Sequence, residues 1–116
     1  MKIYHIKDSY IFNRRNRNGT HRYAVYKNRK TNETRIVQLT HLYEIPHNKQ
    51  QRLNNGWIKK YKLGCYKFPS GVEIGYRTKD INGEPIVLNS SNSRGSYTLS
   101  KKDSNKIKSI AKCRFN

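Results

Sequence analysis

The sequence predicts a mainly β, β-rich α+β fold: a small, half-open barrel of the SH3-like sort with a C-terminal helix, in one domain spanning residues 1–116. Three observations carry this. Short runs rich in Ile, Val, Tyr and Phe are separated by Asn, Gly, Ser and Pro turn signals along most of the chain. The last regular segment, "LSKKDSNKIKSIAK", has a helical period instead. With 34% apolar residues in a 116-residue chain there is enough for one modest core. Nine Tyr help to fill it, because a buried ring can leave its hydroxyl wet or bonded.

Taken in order, "KIYHI" and "SYIF" are β-type runs, followed by the basic loop "NRRNRNGTH". "RYAVYK" (22–27) reads as a strand. "RIVQLTHL" (35–42) alternates Ile36, Gln38 and Thr40 against Arg35, Val37, Leu39 and His41. The turn-rich connection "NRKTNET" between them makes a β-hairpin. "YEIPHNKQQRLNNG" is polar and aperiodic, so a long loop is expected there. "WIKKYKLGCYKF" follows as a strand or strand pair broken at Gly64, with Trp57 as a core anchor. Turn signals at Pro69-Ser70-Gly71 and Asn82-Gly83 bound short β runs at 72–77 and 85–88, and "NSSNSRGS" reads as a linker. In the last segment Ser100 and Asp103 have capping-box spacing, and Leu99, Ile107, Ile110 and Ala111 fall near one helical face.

Charge sets the class of partner. Lys and Arg number 25 against 7 Asp and Glu, a formal +18. Self-repulsion at that level opposes folding, and a polyanion relieves it. Nucleic acid is the leading partner, since each neutralised phosphate releases a counterion. A membrane partner is not expected, because no basic segment carries a long apolar face and no run approaches the length of a span. The opening "MKIYHIKDSYIF" lacks a signal-peptide core, so a cytoplasmic location is expected. Cys65 and Cys113 have no metal-ligand spacing and are expected to be two reduced thiols.

Few chemistries fit these residues. Two-metal catalysis needs converging carboxylates, and only Asp80 and Glu84 are near neighbours in sequence. His41, Glu44 and His47 match no standard metal spacing, and neither a nucleophile elbow nor a phosphate-binding glycine loop is present. No metal and no cofactor is expected. Cleavage of RNA through its own 2′-hydroxyl suits such a chain, because the substrate brings the nucleophile. The protein need only orient the phosphate, move protons and stabilise charge. Arg22, Thr40, His21 and His41 supply that inventory within one hairpin. Arg14, Arg15, Arg17, Lys27, Arg29, Lys30, Arg35, Lys59, Lys60 and Lys62 are the expected phosphate contacts.

The stretch "DSYIF…GTHRYAVYKN…RIVQLTHL" resembles the MazF/PemK family of toxin endoribonucleases. Asp8 and Tyr10 match its opening Gly-Asp-apolar-Tyr strand, with Lys7 where the family has Gly. Arg22 matches its Gly-x-Arg-Pro strand, with Tyr23 where the family has Pro, and Thr40 matches its later Thr-bearing strand. "IKSIAKCRF" is weakly similar to the family's late Ile-Arg-Thr-Ile segment, although its helical reading is preferred. The resemblance covers residues 6–42 and implies a PemK-like barrel, Arg22 and Thr40 as catalytic residues and metal-independent cleavage of single-stranded RNA. It further implies a homodimer and an acidic antitoxin.

Two other readings use the same residues. One is a non-catalytic nucleic-acid-binding protein of a mobile element or phage. The other is an interaction or inhibitor module docking an acidic protein partner.

Overall fold

A computed structural model describes residues 1–11, 19–41, 58–66 and 70–113. Short apolar-rich runs form the first three strands, β1 (Lys2–Lys7), β2 (Thr20–Lys27) and β3 (Thr34–His41). Beyond them come β4 (Ile58–Tyr61), β5 (Ser70–Glu73), β6 (Gly75–Tyr76) and β7 (Ser93–Thr98). Helix α1 (Lys101–Ile110) and the short β8 (Lys112–Cys113) follow. Six strands make one antiparallel sheet in the order β4-β5-β3-β2-β1-β7, while β6 and β8 pair separately in parallel. The mainly β class and the C-terminal helix are as the sequence predicts. Among the described residues the sheet is not closed, and β4 and β7 are its two edges.

Both faces of the sheet are covered, which is why its apolar positions occur at odd and even places alike. On one face Ile3, Ala24, Val37, Leu39 and Val72 pack with Leu63 and with Leu99, Ile107 and Ile110 of the helix region. On the other, Ile6, Ile11, Tyr23 and Ile36 pack with Ile86. The second layer is the 77–92 segment, tied to the sheet by reciprocal bonds between Ile36 and Arg77 and by the Ile11–Asp80 bridge.

Helix α1 starts where its cap is. Ser100 Oγ accepts the backbone N–H of Asp103 at 3.1 Å, satisfying one of the donors a helix start leaves open. The Asp103 carboxylate turns inward and accepts from the Tyr61 hydroxyl at 3.0 Å and from Gly64 N at 2.9 Å. One acid thus fastens the turn after β4 to the helix. The pair that signalled a capping box in the sequence therefore also supplies a tertiary link.

Three local expectations are corrected. Asp8–Tyr10 is a single 3-10 turn and not the continuation of a strand, because Ile11 N bonds back to Asp8 O at 3.1 Å. Residues 85–88 form no strand beyond the Lys79–Pro85 bridge. "NSSNSRGS" is not a linker throughout: its second half enters β7, where β1 offers an open edge of backbone donors and acceptors. The β1–β7 register shifts between Ile3 and His5, and Gly95, at φ 68°, lies in that irregularity. The long-loop expectation for 43–56 and the anchor expectation for Trp57 lie outside the described residues.

Candidate phosphate-binding cleft

Register builds the site. One rung crosses the whole sheet as Arg94–His5–Arg22–Leu39–Val72–Lys59. Directly opposed residues share a face, so Arg22 is flanked on one side by His5 and Arg94 and on the other by the buried Leu39. The next rung toward the strand ends on this face pairs Lys7 with Thr20 and His41 with Ser70. Over these last rungs lies an open cleft of about 350 Å³, among whose lining residues are His5, His21, Arg22, Thr40, Tyr66 and Arg94.

Arg22 is held from two directions. Its Nε donates to His5 Nε2 at 3.1 Å, and its Cζ lies 5.4 Å from the centre of the Tyr66 ring, within cation–π range. A guanidinium carries five N–H donors in a rigid fork, so such contacts orient its plane without exhausting it. Burial, with Arg22 pulling the other way, pushes the Tyr66 hydroxyl up. Burial first, then the charges of Arg22 and Arg94, holds the His5 imidazole below its ordinary value of 6.5. A neutral His5 is what accepting the Arg22 N–H requires.

This shift fixes a sign. The unfolded chain protonates His5 at higher pH than the folded chain does, so stability rises with pH across that interval. Stability linked to His5 is complete above about 6.5 and is lost as pH falls from there toward the folded-state value. His5→Gln is therefore expected to flatten part of the fall in thermal midpoint between pH 7 and pH 5, measured as the difference from wild type. Parallel curves for the two proteins would contradict the assignment.

His21 has a different support. Its Nδ1 lies 2.7 Å from Oδ1 of Asp8, whose side chain is fully buried while that of His21 is 35% exposed. A carboxylate only accepts, so the shared proton sits on Nδ1 and Nε2 is the nitrogen able to take another. Gly19 lies against the pair, and Asp8 N bonds to Gly19 O at 2.9 Å.

Of the residues chosen from the sequence, Arg22, Thr40 and His21 line this cleft together. Arg22 nonetheless belongs to the face of the ladder opposite both Thr40 and His21, since it opposes Leu39, Thr40 is the next residue along β3 and His21 is its neighbour on β2. The opening at the strand ends reaches both faces. His41 ends β3 opposite Ser70. Lys27, Arg29 and Lys30 are exposed at the far end of the hairpin, roughly 17 Å from Arg22 along β2. Arg35 is engaged elsewhere, by Glu33 at 2.7 Å and by the Tyr76 ring. Lys59, Lys60 and Lys62 are exposed on and beside β4. Arg14, Arg15 and Arg17 lie outside the described residues. Sequence reasoning missed His5, Arg94, Tyr66 and the role of Asp8. Only the alternation of "KIYHI", which sets His5 on the face of Ile3, hinted at any of them.

The acids explain how positive the surface is. Asp8, Glu73, Asp80 and Asp103 are buried. Glu33 pairs with Arg35, which leaves Glu84 as the exposed carboxylate among the described residues. No group of three His, Cys, Asp or Glu among the described residues is placed to hold a metal ion. Cys65 carries a free thiol, pushed up chiefly by burial. No helix among the described residues is long and apolar enough to cross a membrane.

Fold and site together define a class: an open, mainly β domain with a basic cleft at one end of its central strands. No family model, curated protein or solved structure matches the chain.

Proposed function

We propose that this protein is a metal-independent endoribonuclease that binds single-stranded RNA and cleaves it through the 2′-hydroxyl in the Arg22 cleft. The observation that carries the reading is the meeting, in one opening, of an oriented arginine and a carboxylate-bound histidine. His21 Nε2 takes the proton of the 2′-hydroxyl as that oxygen attacks phosphorus. A 2′,3′-cyclic phosphate forms, and the 5′-oxygen leaves with a proton from water in the open cleft. Arg22 holds the phosphate oxygens as charge builds on them, the task for which its planar fork is suited. Thr40 adds a hydroxyl donor, and Asp8 positions His21. The closest pattern to this division of labour in the sequence is the MazF/PemK resemblance, under which the chain would act in the cytoplasm and be masked by an acidic antitoxin.

Incubation with single-stranded RNA in EDTA, followed by end-group analysis, tests the reading. Wild type is expected to leave cyclic phosphate ends. Asp8→Asn, which keeps the shape but not the carboxylate, is expected to slow cleavage about a hundredfold, at the low end of what a positioned proton-transfer group supplies. RNA binding should be retained. Wild-type rates no higher than those of an Arg22→Ala control would remove the enzymatic claim.

A second reading is a binder that does not cut. It draws on the alternation that assigns Arg22 and Thr40 to opposite faces, so that the two together do not grip one phosphate. Steeply salt-dependent RNA binding without cyclic phosphate products would select it.

A further inference from the structure

We infer that bound RNA crosses the sheet at right angles to its strands, leaving the Arg22 cleft over the turn after β4 and entering a second, lysine-lined groove between β4 and α1. The inference rests on the reading that the partner is single-stranded nucleic acid, but not on cleavage.

The rung that contains Arg94, His5 and Arg22 ends at Lys59 on the edge strand. Three strand spacings separate Arg22 from Lys59, about 14 Å. Between them Leu39 and Val72 are buried with Leu63 of the covering turn, and Lys62 of that turn is exposed. Past Lys59 lies a groove of about 310 Å³ lined by Lys59, Lys60, Ile74, Lys106, Ser109 and Ile110. It holds three ammonium groups, no carboxylate and an apolar floor. Lys106 is steadied there, its Nζ 5.8 Å from the Tyr61 ring centre.

The helix was built for such a surface. Its buried positions are Asp103, Ser104, Ile107 and Ile110. Its one acid is therefore used inside, on Tyr61 and Gly64, and Lys101, Lys102, Lys106 and Lys108 stand exposed with no acid among them. Ammonium groups on flexible stems are point charges without a planar fork. They suit a phosphate backbone followed without regard to sequence, since backbone contacts carry no base information. The track therefore has two parts, an oriented cleft where one phosphate is fixed and a lysine groove that adds affinity.

The experiment measures binding of a long oligouridylate and of a uridine dinucleotide across a salt series, for wild type and for Lys59→Ala/Lys60→Ala/Lys106→Ala. All three residues are exposed, and a thermal melt confirms the fold. The triple variant is expected to lower the salt slope on the long strand by about two, at roughly 0.7 per lost single-strand phosphate contact. Its binding of the dinucleotide should match wild type. An unchanged slope, or equal losses on long and short ligands, overturns the track. So does an anionic vesicle of phosphatidylserine or an acidic peptide that binds with the same lysine dependence while the long RNA does not. Because the readout is binding, absence of cleavage would sink the ribonuclease reading and leave this result standing.

Discussion

Arg22→Lys is expected to slow RNA cleavage by roughly 10²–10³-fold, the loss that follows removal of one preorganised donor to a developing oxyanion. Lysine keeps the positive charge, so attraction of the RNA backbone survives and binding of a long strand should change little. What disappears is the fork. An ammonium cannot donate Nε–H to His5 at the present 3.1 Å while presenting two further donors in a plane to phosphate. Nor can it keep the same planar cation–π contact, 5.4 Å from Cζ to the centre of the Tyr66 ring. The loss should fall on kcat, because the contact strengthens only as charge moves onto the phosphoryl oxygens. A variant with full kcat and a raised KM would make Arg22 one more backbone contact. A variant with wild-type kinetics would remove it from the site. Arg22→Ala is the poorer probe, since it withdraws the charge along with the fork.

The hairpin and the helix were legible because each repeats a single local rule. Period-two alternation holds along 34–41, 20–27 carries the unbroken apolar run Tyr23–Tyr26, and the Ser100–Asp103 spacing marks a helix start that local hydrogen bonds enforce. The connection is local too: Asn28 Oδ1 accepts from Lys30 N and Thr31 N, and Asn32 takes a left-handed φ of 59°. β7 was not legible, because it opens on Ser93, Arg94, Gly95 and Ser96, which do not signal a strand, and only Tyr97 and Thr98 favour one. It forms on the backbone bonds that the outer edge of β1 provides.

The site divides in the same way. Arg22 and His21 could be singled out because they begin a recognisable strand. His5 could not, because its approach to Arg22 depends on the register of two strands joined by the residues between 7 and 20. Asp8 matched an opening motif, but its contact with His21 is a tertiary fact, set by the pairing of β1 with β2. The degree of closure was not legible either. Apolar positions on both faces of the strands fit a closed barrel with one covered exterior, and they equally fit an open sheet with a layer on each side. Composition does not distinguish them. Among the described residues the sheet is not closed and carries the helix on one face and the 77–92 segment on the other.

Glu73→Ala is expected to cost about 3–5 kcal/mol of folding stability, the range found when one member of a buried ion pair is removed. Glu73 and Arg77 meet at 2.7 Å with side chains 1% and 5% exposed. Deleting the carboxylate leaves a guanidinium charge inside the protein, away from water. Against a total stability of about 5–15 kcal/mol, such a loss places the domain near unfolding, with a Tm lower by roughly 15 °C or more. The pair itself is not required for the architecture. Arg77 is anchored by its backbone, which exchanges bonds of 3.0 and 2.9 Å with Ile36 whatever its side chain. Glu73→Leu with Arg77→Met removes both charges, keeps the volume, and is expected to recover most of the stability lost in the single variant. Urea melts of the two variants decide between a costly orphaned charge and a favourable pair. A single-variant cost below about 1 kcal/mol, the value of a solvated surface pair, would mean that the Arg77 charge is compensated without Glu73. A double variant as unstable as the single one would mean that the pair contributes net stability to this sheet.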